Sequence, residues 1–502
     1  MTAMCPHATS GSSVPCVVDD GLRHATAVLQ RRGARFAPPT PSALLVFAGL
    51  VLATASAAAL GPVDVPETWG GSFASRERLT GNWGGTRDAL GQKGIVLDVD
   101  LLMTPQTVMS GGRDTGTVAW GNAVYTLNVD TGKAGWWPGG FFNVKGDSSF
   151  GNNGRNEIGA VSPANILTLV PDPIGTGSGL ESATFTQFLS PKFGLTAGKI
   201  YMLDLAEHGE FYGNIYDQFM NASLNLPMAT ALMPLSAFGG GAIFLPTENL
   251  SVIALALDAS GSVMSNDIGD AFDDGVTMFG SASMKIAPAG LVGHQTVMGM
   301  WSDKSRLSLE QDPSNLARLL LTERYPRLGD PGPLLYRILE NRFPGLLVPV
   351  QPANRENSSW FFSYGFDQYL WQPHGDAERG IGIFFNVGVS DGDPNPIEYN
   401  YMVGLGGNGV VPGRPHDTFG IGWARTQFSD ELVPFLSQRL DLGLDHEDVV
   451  ELYYNVAVTP WLQLSPSIQI IDAGLERTLE ESGRLEKLDT AAVFFLRTRV
   501  RF

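Results

Sequence analysis

Residues 449–474 read VVELYYNVAVTPWLQLSPSIQIIDAG, and residues 490–502 read TAAVFFLRTRVRF. In the first run Val450, Leu452, Tyr454, Val456 and Val458 fall on one side, and Glu451, Tyr453, Asn455 and Ala457 on the other. Thr459-Pro460 breaks the run. Leu462, Leu464, Pro466, Ile468 and Ile470 then oppose Gln463, Ser465, Ser467 and Gln469. Successive side chains of a strand leave opposite faces, so this is a hairpin with one apolar and one polar face. After an acidic loop at 472–488, the last run sets Phe494, Leu496, Thr498, Val500 and Phe502 against Arg497, Arg499 and Arg501.

Alternation alone fits a soluble barrel with its apolar face inward as well as a membrane barrel with that face outward. The connections separate the two. A very short turn at Thr459-Pro460 alternates with the long polar loop at 472–488, as short periplasmic turns alternate with long external loops in outer-membrane barrels. The expected fold is therefore all-β, a transmembrane antiparallel barrel. A terminal Phe502 on the apolar face resembles the signal read by the barrel-assembly machinery, an expected partner alongside outer-membrane lipid and lipopolysaccharide. The arginines would then face the lumen, since Arg toward lipid costs ~2–4 kcal/mol at the midplane. Three positive charges along one wall are expected to bias the lumen against cations.

At the other end, four arginines precede the apolar run 43–59, ALLVFAGLVLATASAAA, which ends in small-x-small sites. A basic region, an apolar core and such a site make a secretory signal peptide, with cleavage expected between Ala57 and Leu60. The run falls short of the ~20 residues that a spanning helix needs. So long a leader suggests a translation start downstream of Met1. Both cysteines, Cys5 and Cys16, lie in it, so the exported chain has no disulfide framework and no cysteine nucleophile or metal ligand. Losing four arginines and two aspartates takes the net charge from −18 to −20, which argues against nucleic acid as a partner. The 60 glycines and 10% aromatic residues suit an all-β chain, and with no spanning helix after residue 60 a membrane role requires a barrel.

Between these ends the same alternation recurs. Residues 79–90, LTGNWGGTRDAL, are expected to form a short helix capped near Asn82 and ending at Gly91. Strand patterns begin at Ile95, Ala123, Phe193, Val276, Trp360, Ile381 and Ile421, separated by Gly-Gly, Asp-Gly and DGDPNP turn signals. The pattern runs throughout, giving a leader at 1–59, an N-terminal periplasmic segment at 60–94 and one barrel domain at 95–502. Roughly 440 residues at about 27 per strand and connection gives about 16 strands, enough to leave an aqueous channel. The segment 302–358 departs from this. SNLARLLLTERYPRL and PLLYRILENRF read as short amphipathic helices in a long insertion, either folded over the mouth or external.

Several blocks together resemble the carbohydrate-selective porins of the OprB family. They are LTGNWGGTRDALGQKGI, EFYGNIYDQFMNAS, WFFSYGFDQYLWQP, RGIGIFFNVGVSDGDPNPI and GIGWARTQFSDEL, followed by the closing hairpin and its Phe-terminated strand. The resemblance implies a 16-stranded barrel of the bacterial outer membrane that passes sugars by passive diffusion, with no cofactor. A general or ion-selective porin, or a purely structural barrel, would show the same pattern.

Enzyme chemistry is a weaker reading. Gly404-Leu405-Gly406-Gly407-Asn408-Gly409 matches a dinucleotide fingerprint, but VVPGRP follows instead of a helix, so a glycine-rich barrel turn is expected. His208 beside Glu207 and Glu210 has no second histidine at metal spacing. Asp391/Asp393 and Asp273/Asp274 supply the two carboxylates of a secreted glycoside hydrolase, yet they sit among turn residues. No metal site and no catalytic residue is expected. The polar face nominates Tyr453, Asn455, Gln463, Gln469, Arg497, Arg499 and Arg501 as channel lining, where amides and guanidinium forks suit sugar hydroxyls. The polar, aromatic stretch 204–225 is the expected constriction loop, with Glu207, His208, Glu210, Tyr212, Asn214 and Asn221 as its candidates.

Overall fold

A computed structural model of the chain describes residues 60–205, 209–310, 337–338, 341–342, 354–374, 376–431, 443–479 and 485–502. The leader, Glu207 and His208, and nearly all of the 302–358 insertion's helix-like stretches lie outside these residues. Sixteen antiparallel strands close into one barrel. In chain order they are Ile95–Gly112, Gly116–Asp130, Gly140–Gly151, Ser178–Ser190, Phe193–Tyr201, Ser236–Thr247, Leu250–Asp258, Val276–Ile286, Gly293–Ser302, Ser359–Trp371, Gly380–Ser390, Ile397–Asn408, Thr418–Phe428, His446–Thr459, Leu462–Asp472 and Asp489–Arg501. Each pairs with its neighbours in sequence, and the last returns to the first through Leu101↔Val500, Met103↔Thr498 and Thr107↔Phe494. Closure matters because lipid offers no partner to an unpaired N–H or C=O.

The faces follow the alternation. Leu195, Ile421, Leu452, Ile468 and Ile470 are exposed on the outside, while Asn122, Ser363, Asn386, Glu451, Asn455 and Gln469 are buried on the inside. The connections also alternate, from 191–192, 248–249 and 460–461 at one end to 152–177, 202–235 and 473–488 at the other. At the end of the first strand Gly111 and Gly112 both take positive φ (65° and 71°), a backbone that side chains disfavour. The insertion's bases pair as a small hairpin, Arg306–Leu307 with Arg355–Glu356.

The N-terminal helix spans Thr86–Gln92, one residue beyond the expected stop. Asn82 stands before a 3₁₀ turn, Trp83–Gly85, and its side chain does not cap it. It donates instead to Asp88 (3.0 Å), whose carboxylate also takes Trp69 N (2.9 Å) and Thr68 Oγ1 (2.7 Å). The segment docks at the barrel seam. Leu79 N donates to Arg501 O (2.7 Å), and Arg87 donates to Phe502 O (2.9 Å), Leu97 O (2.8 Å) and Asp98 (2.6 Å).

The glycine fingerprint corrects another expectation. Gly404, Gly406 and Gly407 lie within the twelfth strand, and only Gly409 sits in a turn. Gly404 and Gly407 leave room for the Phe384 and Phe419 rings of the neighbouring strands, and at Gly406 the 202–235 loop packs against the inner face. A Cβ on Gly406 would stand 2.7 Å from Phe211 Cβ.

Candidate constriction site

The loop 202–235, between the fifth and sixth strands, turns into the barrel. Its aromatic residues pack against glycine-bearing parts of the wall. Phe211 meets Gly382 and Gly406, and Phe219 meets Gly420 and Gly422. Phe219 also lies edge-on to Tyr453 (4.7 Å between centroids), and Tyr212 against Phe384 (5.2 Å). The later part of the loop, with Ala229 and Met233, covers an apolar inner wall that includes Ile253, Leu255, Phe279 and Met300.

Polar wall residues take the loop's main chain. Glu451 accepts from Met220 N and Asn221 N (2.9 Å each), from Ser467 Oγ (2.8 Å) and from Gln469 Nε2 (3.2 Å). Arg497 donates to Ile215 O (2.9 Å) and Gln218 O (2.6 Å). Asn221 Nδ2 donates to Gln469 Oε1 (3.1 Å), and Gln469 Nε2 to Ala164 O of the 152–177 loop (2.8 Å). Four residues before Glu451, Glu447 holds that second loop by accepting from Val161 N (2.7 Å) and Ser162 N (2.9 Å).

The nominated wall residues therefore divide. Tyr453, Asn455, Gln469 and Arg497 point inward but are buried, three of them in contact with the inward loops and Asn455 accepting from Ser465 Oγ (2.7 Å). Gln463, Arg499 and Arg501 are half-buried. In the loop, Tyr212 and Asn221 are buried, while Glu210 and Asn214 lie half-buried with Tyr216 and Asp217. Asn214 Oδ1 takes Tyr216 N (3.1 Å), a turn that presents these neighbours.

Several charges of the inner wall are paired. Arg499 contacts Asp100, which Arg501 also approaches (3.9 Å). Arg78 and Arg87 share Asp98 (2.7 and 2.6 Å), and Lys145 bridges Asp204 (2.7 Å) and Glu181 (3.3 Å). His294 Nδ1 stands 3.0 Å from Asp367 and 4.0 Å from Glu210. The Tyr216 ring lies beside two cations, 4.9 Å from the Arg499 guanidinium and 5.6 Å from Lys145 Nζ. Burial lifts the Asp217 carboxyl above its usual range, against the pull of Arg499, Arg497 and Arg501. Burial and the neighbouring Asp367 likewise raise Glu210. The three arginines of the last strand thus do not form a bare positive wall: one is capped by loop carbonyls and two face Asp100.

Sequence reasoning did not nominate Glu451, Asp100, Lys145, Asp204, Tyr216, Asp217 or His294. Glu451 carried one legible signal, a carboxylate in the middle of a membrane strand. Lys145 carried the same kind of signal, a charge in the middle of a strand, and His294 carried none, because its partners lie on another strand and in the loop. The carboxylates weighed for hydrolase chemistry hold structure. Asp393 accepts from Leu309 N and Ser308 Oγ (2.7 Å each), Asp391 from Trp360 N (2.9 Å), and Asp274 pairs with Lys304 (3.1 Å).

A closed sixteen-stranded barrel with an apolar outer belt, a largely polar inner wall and an inward loop has the architecture of the porins of the bacterial outer membrane. Residues 119–502 match the family described as "Carbohydrate-selective porin, OprB family", and the chain belongs to it. Porin B of Pseudomonas aeruginosa is 29% identical over 150 residues, which cover 27% of this chain and 31% of that protein, so the chain spans about a third of the curated relative it matches. The high-pH structure of Pseudomonas putida OprB superposes with a TM-score of 0.67 at 20% identity, over 86% of this chain and 100% of that one, a likeness of fold.

Proposed function

We propose that the barrel is a water-filled channel for passive diffusion of carbohydrates, chiefly monosaccharides and small sugars. The observation that carries this reading is the matching of charge along the lumen. Arg499 and Arg501 face Asp100, and Lys145 faces Asp204 and Glu181. The half-buried members of these pairs, Arg499, Arg501, Asp100 and Asp204, offer fixed donors and acceptors to hydroxyls, while the opposed charges largely cancel as a field on passing ions. Asn214, Tyr216 and Asp217 add an amide, a ring and a carboxyl at the loop's free edge. Phe502, at the end of the lipid-facing register, is the contact for the barrel-assembly machinery, and the outer belt meets lipid and lipopolysaccharide.

Liposome swelling with neutral sugars of graded size, run beside reversal potentials, tests the reading. Fast entry of monosaccharides, falling steeply with size and accompanied by weak ion selectivity, is expected. Strong ion selectivity with no preference among equal-sized neutral solutes would make it a general or ion-selective porin instead.

A further inference from the structure

The loop segment 215–221 is held from both ends by charged groups that do not meet the permeant. At its beginning the guanidinium of Arg497 takes two carbonyls, Ile215 O and Gln218 O. At its end the carboxylate of Glu451 takes two successive amides, Met220 N and Asn221 N. Glu451 is 0% exposed and Arg497 1%. Tyr216 and Asp217, between the two carbonyls that Arg497 holds, are the half-buried residues of the segment, and its other residues are buried. Behind the segment, Phe219 sits where a Cβ on Gly420 would approach to 2.9 Å, so the loop cannot retreat into the wall.

We infer that Glu451 and Arg497 act together as positioning residues, a clamp on the loop's main chain that sets the aperture and hence the size selectivity of the channel. Resting on the porin reading above, the inference adds how the aperture is held. Chemistry dictates the division of labour. A carboxylate can receive two N–H groups at once, and a guanidinium can serve two carbonyls with a rigid fork. A neutral amide offers one oxygen in place of two, and an ammonium donates from a single nitrogen in place of a planar fork. Glu451→Gln turns one acceptor into an NH₂ that faces main-chain donors. Arg497→Lys keeps the charge but loses the fork. Each removes a charge-assisted hydrogen bond from a buried site, which shifts the balance between seated and released loop by about tenfold.

The test uses neutral polyethylene glycols of graded size as blockers of single-channel conductance, on refolded wild type, Glu451→Gln and Arg497→Lys. Heat-modifiable migration on gels checks that each barrel is closed. The expected result is a higher polymer size cut-off in both variants, with chymotryptic cleavage near Tyr216 and Phe219 rising about tenfold in line with the released loop. A closed barrel whose cut-off and cleavage match wild type in either variant overturns the clamp. If Glu451→Gln does not close, Arg497→Lys decides alone, because its charge is retained. Polymer exclusion does not depend on sugar preference. Wild type that excludes polymers by size yet passes no sugar defeats the sugar reading and leaves the clamp to be judged on the variants.

Discussion

Arg499 and Asp100 face each other across the seam between the last and first strands, so neither acts on the lumen as a bare charge. Arg499→Gln leaves Asp100 with only the longer approach of Arg501, at 3.9 Å. The expected outcome is a shift of reversal potential toward cations at low salt that fades as ionic strength rises, because screening acts over ~10 Å at 0.1 M. Asp100→Asn should shift it the other way, and two unchanged potentials would remove this pair from the conducting path. Glu210 offers a second test at this scale. Its carboxyl is raised by burial and by Asp367, so the folded chain holds that proton more tightly than the unfolded chain. The stability it contributes is present below the ordinary carboxylate range and is lost as pH rises through the raised value. The midpoint of heat modification should therefore fall with pH across that window in wild type, and fall less in Glu210→Gln. Parallel slopes would show that Glu210 does not titrate there. Of these residues, Arg499, Arg501 and Glu210 could be nominated from sequence but Asp100 and Asp367 could not, because alternation assigns a side chain to a face but does not name its partner across strands.

At the scale of elements, the inward loop and the glycine-bearing strands form one packing unit. Phe211 and Phe219 fill positions that a wall Cβ would occupy. Gly406→Ala would set a methyl 2.7 Å from Phe211 Cβ, an overpacking that costs about 1–3 kcal/mol. A lower heat-modification midpoint is expected, partly recovered when Phe211→Ala is added. A double variant no better than Gly406→Ala alone would mean that the strain lies elsewhere. The spacing of the 404–409 glycines is visible in the sequence, but the cause at Gly406 lies in a loop almost 200 residues earlier, beyond the reach of any local pattern.

For the whole molecule the decisive feature is the seam. The N-terminal segment reaches both partners of that seam through Arg87, which donates to Leu97 O and Phe502 O and pairs with Asp98. Trp461 Nε1 ties the last short turn to Phe73 O (2.7 Å). If Phe502 is the assembly contact proposed above, deleting it is expected to lower the yield of inserted barrel. Arg87→Ala should instead leave yield near normal and lower the midpoint of heat modification, since it removes a lock on a barrel already closed. Equal yields for wild type and the Phe502 deletion would detach that residue from assembly.

The strand number, the faces and the alternation of short and long connections were determined by the sequence itself. The physical reason is local: a strand repeats every two residues, and lipid on one side with water on the other forces apolar and polar residues into that period. Which polar residues meet water was decided only by the tertiary structure. Tyr453, Gln469 and Arg497 carry the same pattern as Gln463, Arg499 and Arg501, yet the first three are covered and the others half-open. Burial inside a closed barrel depends on where a loop comes to rest, and the bonds that seat it here join Ile215 to Arg497 and Met220 to Glu451, residues more than 200 positions apart that become neighbours only when the barrel closes.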